Sequence, residues 1–227
     1  MGLGPPGPLA PGPLPYGGMG FHFLANGPRR APVTILLAHG AGAPMDSPFM
    51  EAMAALLAAR NLRTVRFEFA YMAARRQGAR RPPPRAESLM GECEAAVSEL
   101  RAEGPLIVGG KSLGGRVASL VAQAQSDAGR AAGLLCLGYP FHPPGAPDRL
   151  RTAHLMHLRL PTLICQGTRD PFGTRDEVEA LGLPPAVRLH WAEDGDHDLK
   201  PRKASGLTAR GNWSMAADAI AGWATLR

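Results

Sequence analysis

Residues 110–114 read Gly-Lys-Ser-Leu-Gly, and the apolar run 105–108 (PLIV) stands directly before them. This order predicts a strand, a sharp turn and a helix, which is the setting that the G-x-S-x-G pattern requires. The turn forces Ser112 into a strained backbone conformation that lifts its hydroxyl out of the sheet. Glycines flank the turn because side chains there would collide with the neighbouring strand and helix. The pentapeptide alone is also compatible with a tightly packed turn that carries no chemistry.

The length and composition are those of one folded domain. The chain has 227 residues, of which 45% are hydrophobic and 19% are charged. These values allow a full core and argue against global disorder. Residues 1–20 are rich in proline and glycine and are interpreted as a flexible tail. Residues 21–227 are interpreted as a single α/β domain.

Several classes of protein are disfavoured by what the sequence lacks. No apolar run reaches the roughly 18–20 residues of a membrane span, and the N-terminus has no secretory-signal pattern. Cys93, Cys136 and Cys165 form no C-x-x-C pair, which favours a reducing compartment. No histidine–cysteine cluster has the spacing of a zinc site. We therefore expect a cytoplasmic protein that has no membrane contact, no metal and no cofactor.

The net charge is +6, and much of it lies in a basic run that comprises Arg75, Arg76, Arg80, Arg81 and Arg85. A basic run can attract nucleic acid or an anionic substrate. No nucleic-acid motif accompanies it and few aromatic residues interleave with it, so we expect no nucleic-acid partner. Two interpretations stay open, a solvated loop and a loop that holds an anionic substrate.

Short apolar runs alternate with helical patterns from residue 33 onward. The predicted strands are 33–38, 63–67, the run ending at 108, 133–137, 161–165 and 186–191. The predicted helices are 48–60, 87–102, 113–125, 148–157, 175–181 and 213–226, with a basic loop at 68–84. This alternation predicts a mainly parallel sheet of six to seven strands with helices on both faces. Only about 20 residues separate Gly138 from Leu158, so we expect little or no cap domain.

Residues with reactive side chains follow the carboxyl ends of these strands, where sites form in parallel sheets. A serine hydroxyl needs a base to remove its proton, and the base needs an acid to orient it. Asp170 follows Ser112 by 58 residues and His197 follows Asp170 by 27, which is the order serine, acid, histidine of α/β-hydrolases. The sequence therefore predicts Ser112 as nucleophile, Asp170 as acid and His197 as base.

Each of these assignments has an alternative. Asp170 precedes a proline and is also compatible with a turn, in which case Asp176 is the next acid along the chain. His197 is also compatible with an exposed loop. His142 competes as a base because it sits in the loop after the fourth predicted strand, where it can line the pocket.

An acyl-transfer site also needs donors for a developing oxyanion. The backbone N–H of Leu113, directly after the nucleophile, is one expected donor. The loop after the first predicted strand, 39–44 (HGAGAP), supplies the other, and we assign it to Ala41 with Gly42 as the alternative. The candidates for lining the substrate pocket are His39, Gly42, Tyr71 and His142, although His39 is equally suited to bracing the loop.

Several segments together resemble one family: 39–43 (HGAGA), 67–69 (FEF), 71–72 (YM), 109–116 (GGKSLGGR), 138–145 (GYPFHPPG) and 195–199 (GDHDL). They are similar to the small α/β-hydrolase-like family of predicted bacterial hydrolases. That family also contains a testis-expressed protein and a subunit of the nonspecific-lethal chromatin complex, and more distantly it resembles dienelactone hydrolases. The resemblance covers about residues 25–227. It implies an α/β-hydrolase fold, a compact core without a large lid, and the roles given above to Ser112, Asp170 and His197.

These observations lead to one principal hypothesis. It is a serine hydrolase that acts on a small carboxylic ester or related acyl compound through an acyl-enzyme intermediate. The alternative is a non-catalytic protein-interaction module on the same scaffold, as the chromatin-complex relative suggests. A further reading is hydrolysis of an anionic substrate held by Arg75, Arg76 and Arg80. The sequence makes no prediction about oligomeric state.

Overall fold

The structure, a computed structural model, describes residues 20–79 and 82–225. The predicted tail, apart from Gly20, lies outside the described residues. The strands are β1 (Leu24–Asn26), β2 (Thr34–Ala38), β3 (Arg63–Phe67), β4 (Leu106–Lys111), β5 (Gly133–Leu137), β6 (Thr162–Gly167) and β7 (Val187–Ala192). The α-helices are α1 (Pro48–Ala58), α2 (Ala70–Arg76), α3 (Met90–Leu100), α4 (Leu113–Asp127), α5 (Arg175–Glu179) and α6 (Ala209–Thr225).

The seven strands form one sheet in the order β1-β3-β2-β4-β5-β6-β7. Only β1 runs antiparallel to its neighbour, and the other described pairs are parallel. The mainly parallel sheet predicted from the alternation of patterns is confirmed. Because β2 and β4 to β7 end at the same edge, the loops that follow them meet there.

Both faces of the sheet are buried, as a parallel sheet requires. Successive strand residues point to opposite faces, so Leu36 packs into one hydrophobic cluster and Leu37 into the other. Helices α3 and α4 pack against each other, as do α1 and α6. Buried residues of α3 and α4 belong to the Leu36 cluster, and those of α1 and α6 to the Leu37 cluster. The sheet is therefore a rigid middle layer between two pairs of helices.

Several element predictions are wrong in detail. The strand β1 was not predicted. The predicted basic loop 68–84 contains α2, because alanine, methionine and arginine favour a helix and its Tyr71 and Met72 are buried. The helix predicted at 148–157 is reduced to a single 3₁₀ turn, Leu155–His157. There the Arg151 N–H donates to the carbonyl of Phe141 at 2.7 Å, so a tertiary bond satisfies a group that a helix would have used.

The three cysteines are buried side chains of the core and form no disulfide. Burial raises the pKa of Cys93 and of Cys165 to about 12, so these thiols stay protonated and unreactive near neutral pH. In the described part of the chain, no helix combines the length and the apolar character needed to cross a membrane.

The N-terminus of α4 sits directly against the end of β2. A Cβ added at Gly114 would lie 2.5 Å from the carbonyl oxygen of Ala38 and 2.6 Å from that of His39. Both neighbours are backbone atoms at the end of β2 and in the residue directly after it, so neither can move aside cheaply. Gly114 is therefore the residue that lets α4 start so close to the sheet.

We predict that Gly114→Ala lowers the free energy of unfolding by about 2–3 kcal/mol, because the added methyl overpacks this junction. The matched control is Gly222→Ala, at an exposed position of α6 with no neighbour near the added Cβ. It should raise the free energy of unfolding by about 0.5–1 kcal/mol. Urea unfolding measures both variants. Equal effects of the two substitutions would contradict the close contact.

Candidate active site

Ser112 lies in the turn between β4 and α4 and has a strained backbone, with φ 51° and ψ −112°. Positive φ is uncommon for a residue with a side chain. The turn is held at both ends: the Ser112 N–H donates to the carbonyl of Leu137 at 3.0 Å, and the Ser112 carbonyl accepts from the Arg116 N–H at 3.0 Å. The serine hydroxyl is thereby fixed at the carboxyl edge of the sheet.

Three predicted residues come together at this edge. His197 Nε2 lies 2.7 Å from Ser112 Oγ, and His197 Nδ1 lies 2.8 Å from Asp170 Oδ2. The Asp170 side chain is fully buried, whereas the His197 side chain is 21% exposed. The three side chains form one continuous hydrogen-bonded chain from a buried carboxylate to a hydroxyl at the surface. Asp176, the alternative acid, is exposed in the first turn of α5.

The burial of the Asp170 carboxylate is compensated by further donors. Gln166 Nε2 donates to Oδ2 at 2.9 Å, and the Phe172 N–H donates to Oδ1 at 2.9 Å. The Gln166 amide is fixed in turn, because its Oε1 accepts from the Tyr139 N–H at 2.7 Å. Sequence reasoning missed Gln166. Its place at the end of β6, four residues before Asp170, is the signal that was available.

Lys111, the variable residue before the serine, connects the serine turn to the histidine loop. Its side chain is almost fully buried, and its Nζ donates to the carbonyl of His197 at 2.9 Å. Nζ also lies 3.4 Å from Asp198 Oδ1 and 5.5 Å from the centre of the Phe49 ring. Burial lowers the pKa of Lys111, and the charge of Asp198 opposes that shift. This contact was not predicted, since the position is unspecified in the motif.

The cavity beside Ser112 has a volume of about 410 Å³. Ser112 and His197 belong to its lining. The other lining residues include Gly40, Ala41 and Gly42 from the loop after β2 and the apolar side chains of Phe49, Met50 and Phe172. The Phe172 ring lies against the His197 imidazole, with 4.3 Å between the ring centres and an angle of 35° between the planes. A cavity of this size accommodates a small acyl group.

Two residues predicted to line the pocket, His39 and Tyr71, instead hold the loop after β2 in place. His39 is fully buried. Its Nε2 accepts from the Phe69 N–H at 3.2 Å, so its Nδ1 carries the proton and donates to the Gly40 carbonyl at 2.7 Å. Burial lowers the pKa of His39, which keeps it neutral. The Tyr71 hydroxyl donates to the Ala41 carbonyl at 3.2 Å. These bonds fix the orientation of the loop.

The two backbone N–H groups expected to be oxyanion donors belong to Ala41, in the loop after β2, and to Leu113, directly after Ser112. Ala41 lines the cavity, and Leu113 is the first residue of α4. Among the described residues, neither N–H donates to a protein acceptor. Groups in the first turn of a helix have no partner within it, so the Leu113 N–H is free to bind another acceptor.

Of the four residues expected to line the pocket, only Gly42 does so. His39 and Tyr71 lie behind the loop. His142 is buried and turned away: its Nδ1 lies 2.8 Å from the Pro143 carbonyl and its Nε2 3.4 Å from Glu177 Oε2. It lines a separate cavity with Phe141 and Val178, so its expected place as a competing base is wrong.

The basic run is not the free loop that its composition indicated. Arg76 pairs with Glu68 and with Asp46, and an Arg75 guanidinium nitrogen lies 3.4 Å from the Ala41 carbonyl. Arg80 and Arg81 lie outside the described residues. Arg76 is thus neutralised within the protein, which removes one of the charges expected to hold an anionic substrate.

Comparison with known proteins identifies the architecture. The family model described as an alpha/beta hydrolase domain matches residues 31–225. A dienelactone hydrolase from Anabaena variabilis superposes with a TM-score of 0.71 at 19% sequence identity, covering 95% of this chain and 96% of that one.

Two further solved structures have the same fold. A serine hydrolase without a lid from Xanthomonas campestris has a TM-score of 0.65 at 17% identity, covering 97% of this chain and 98% of that one. Est1E from Butyrivibrio proteoclasticus has a TM-score of 0.67 at 13% identity, covering 95% and 98% of the two chains. At these identities the likeness concerns the fold, and it confirms the predicted fold class.

We predict that Lys111→Met slows covalent labelling of Ser112 by a fluorophosphonate probe about tenfold or more. The His197 loop then loses the Lys111 anchor, one of several side chains that hold the loop, and small displacements of a base cost reactivity. The matched control is Lys203→Met, which removes the same charge from an exposed position and should label at the wild-type rate. Circular dichroism verifies folding. Labelling of Lys111→Met at the rate of the control would show that the anchor is not needed.

Proposed function

This chain belongs to the alpha/beta hydrolase domain family, and from that membership we propose that it is a serine hydrolase. The proposed reaction is cleavage of a carboxylic ester or related acyl compound through an acyl-enzyme intermediate. One observation supports it above the others, the hydrogen-bonded chain from Asp170 through His197 to Ser112. That chain has the contacts that activate a serine hydroxyl.

In the first step, Ser112 Oγ attacks the acyl carbon while His197 Nε2 accepts the hydroxyl proton. The carbonyl π electrons move to oxygen, and the resulting oxyanion accepts hydrogen bonds from the N–H groups of Ala41 and Leu113. The intermediate then expels the leaving group, which takes the proton from His197. The acyl group stays on Ser112 as an ester.

In the second step, water attacks the acyl-enzyme, and His197 removes a proton from that water. The second tetrahedral intermediate expels Ser112, which recovers its proton from His197, and the carboxylic acid leaves. Throughout both steps, Asp170 holds the imidazole with Nδ1 protonated and stabilises its positive charge. Lys111 fixes the backbone of His197 in position.

The shape of the site favours small or exposed substrates. The cavity of about 410 Å³ holds one short acyl chain, and the segment between β5 and β6 adds only one 3₁₀ turn. Solved structures with this fold include an esterase domain from Rhodothermus marinus and the dienelactone hydrolase. The narrower resemblance to the family that contains the testis-expressed protein stays a prediction.

We predict that a fluorophosphonate probe labels the protein at Ser112 and that labelling is lost in Ser112→Ala and His197→Ala. The serine needs its base in order to attack phosphorus and displace fluoride. The measurement is mass-spectrometric mapping of the labelled peptide. Absence of labelling in folded wild-type protein would overturn the proposed hydrolase and favour the interaction module.

We predict that Asp170→Asn lowers kcat for a 4-nitrophenyl ester by a factor on the order of 10³–10⁴, because the imidazole is then held in the wrong tautomer. The matched control is Asp176→Asn, which changes an exposed carboxylate on the neighbouring helix α5 and should keep the wild-type kcat. Steady-state kinetics with both variants decides between the two acids. A larger loss in Asp176→Asn would reverse the assignment.

A further inference from the structure

A second cavity lies beside the N-terminus of α4. Its volume is about 750 Å³, and Leu113, the residue directly after Ser112, is part of its lining. The charged residues that line it are Arg85, Arg116, Arg149, Arg151 and Glu87. Four arginines and a single acidic residue therefore line one space.

These charges are poorly balanced within the protein. Arg116 pairs with Glu87 at 2.5 Å, which uses the one carboxylate of the lining, yet Arg116 Nε is buried without a hydrogen-bond partner. Within the described residues, no ion pair involves the side chain of Arg85, Arg149 or Arg151. Burial lowers the pKa of Arg151, and the charges of Arg116 and Arg149 act in the same direction. An anion in the cavity would relieve this repulsion.

The backbone that carries the arginines is fixed. The Arg151 N–H donates to the Phe141 carbonyl at 2.7 Å, and its carbonyl accepts from the Tyr139 hydroxyl at 2.9 Å. The Arg116 N–H donates to the Ser112 carbonyl at 3.0 Å, so the backbone of Arg116 lies one helical turn after the proposed nucleophile. The backbones of Arg116 and Arg151 are therefore held in place beside the serine turn.

We propose that the arginine cavity binds the anionic group, a carboxylate or a phosphate, of an acyl substrate that is cleaved at Ser112. The inference rests on the proposed hydrolase function and specifies its substrate class. Guanidinium groups match the paired oxygens of carboxylates and phosphates. Of the basic run, Arg85 lines this cavity, whereas Arg76 is engaged by Glu68 and Asp46.

A pair of matched esters tests selectivity. Mono-4-nitrophenyl adipate carries a carboxylate at the far end of a six-carbon chain, and 4-nitrophenyl hexanoate has the same chain without it. We expect wild-type protein to have the higher kcat/KM for the adipate. In the double variant Arg149→Gln/Arg151→Gln, the ratio of the two kcat/KM values should fall at least about tenfold.

The control for bulk charge is Arg210→Gln, an exposed arginine on α6, which should keep the wild-type ratio. Thermal melting verifies that each variant folds. An unchanged ratio in the double variant, or an equal fall in Arg210→Gln, would overturn the anion site.

Binding without turnover separates this inference from the proposed function. Inorganic phosphate and adipate are titrated calorimetrically into Ser112→Ala, with and without the arginine double substitution. Saturable binding that weakens at least about tenfold in the double variant supports the site, and the tighter of the two probes identifies the anionic group. Binding of neither probe overturns it. If anion binding is retained but wild-type Ser112 does not label with a fluorophosphonate, only the hydrolase proposal fails.

Discussion

The geometry of the candidate site depends on the turn between β4 and α4 that carries Ser112. The turn holds a non-glycine residue at positive φ, which costs of order 1–3 kcal/mol. A hydrogen bond to β5 and the approach of Gly114 to the end of β2 keep it in place. The central strands of the sheet therefore hold this strained backbone in place and set the position of the site.

The histidine loop is positioned by different forces. His197 comes from the loop after β7, two strands away from β5 in the sheet. Helix α6 holds the backbone on both sides of His197, because Asn212 Nδ2 donates to the carbonyls of Glu193 and Leu199 and Trp213 Nε1 donates to that of Asp198. The buried side chains of Lys111 and Asp170 and the ring of Phe172 contact His197 itself. Because Lys111 belongs to the same turn as Ser112, the lysine ties base and nucleophile together through a single segment of chain.

The sequence allowed the sheet and the three linked side chains to be predicted, because both follow from local patterns and chain order. Strand endings locate Ser112, Asp170 and His197 at one edge without any knowledge of contacts. The supporting residues were not predictable in that way. Lys111 and Gln166 act through side-chain geometry that has no periodic signal, and His39 was ambiguous because bracing and lining residues share the same loop. The arginine-rich composition of residues 68–84 indicated a loop. Burial of Tyr71 and Met72 instead stabilises helix α2 there.

The short connection between β5 and β6 has a consequence for the way molecules reach the site. In many enzymes a mobile lid closes over the active site, and its opening can limit turnover. Here the connection contributes one 3₁₀ turn, Leu155–His157. Among the described residues, the segment between β5 and β6 therefore places no α-helix over Ser112. Under the proposed function, a substrate would reach the serine without the opening of a lid from that segment.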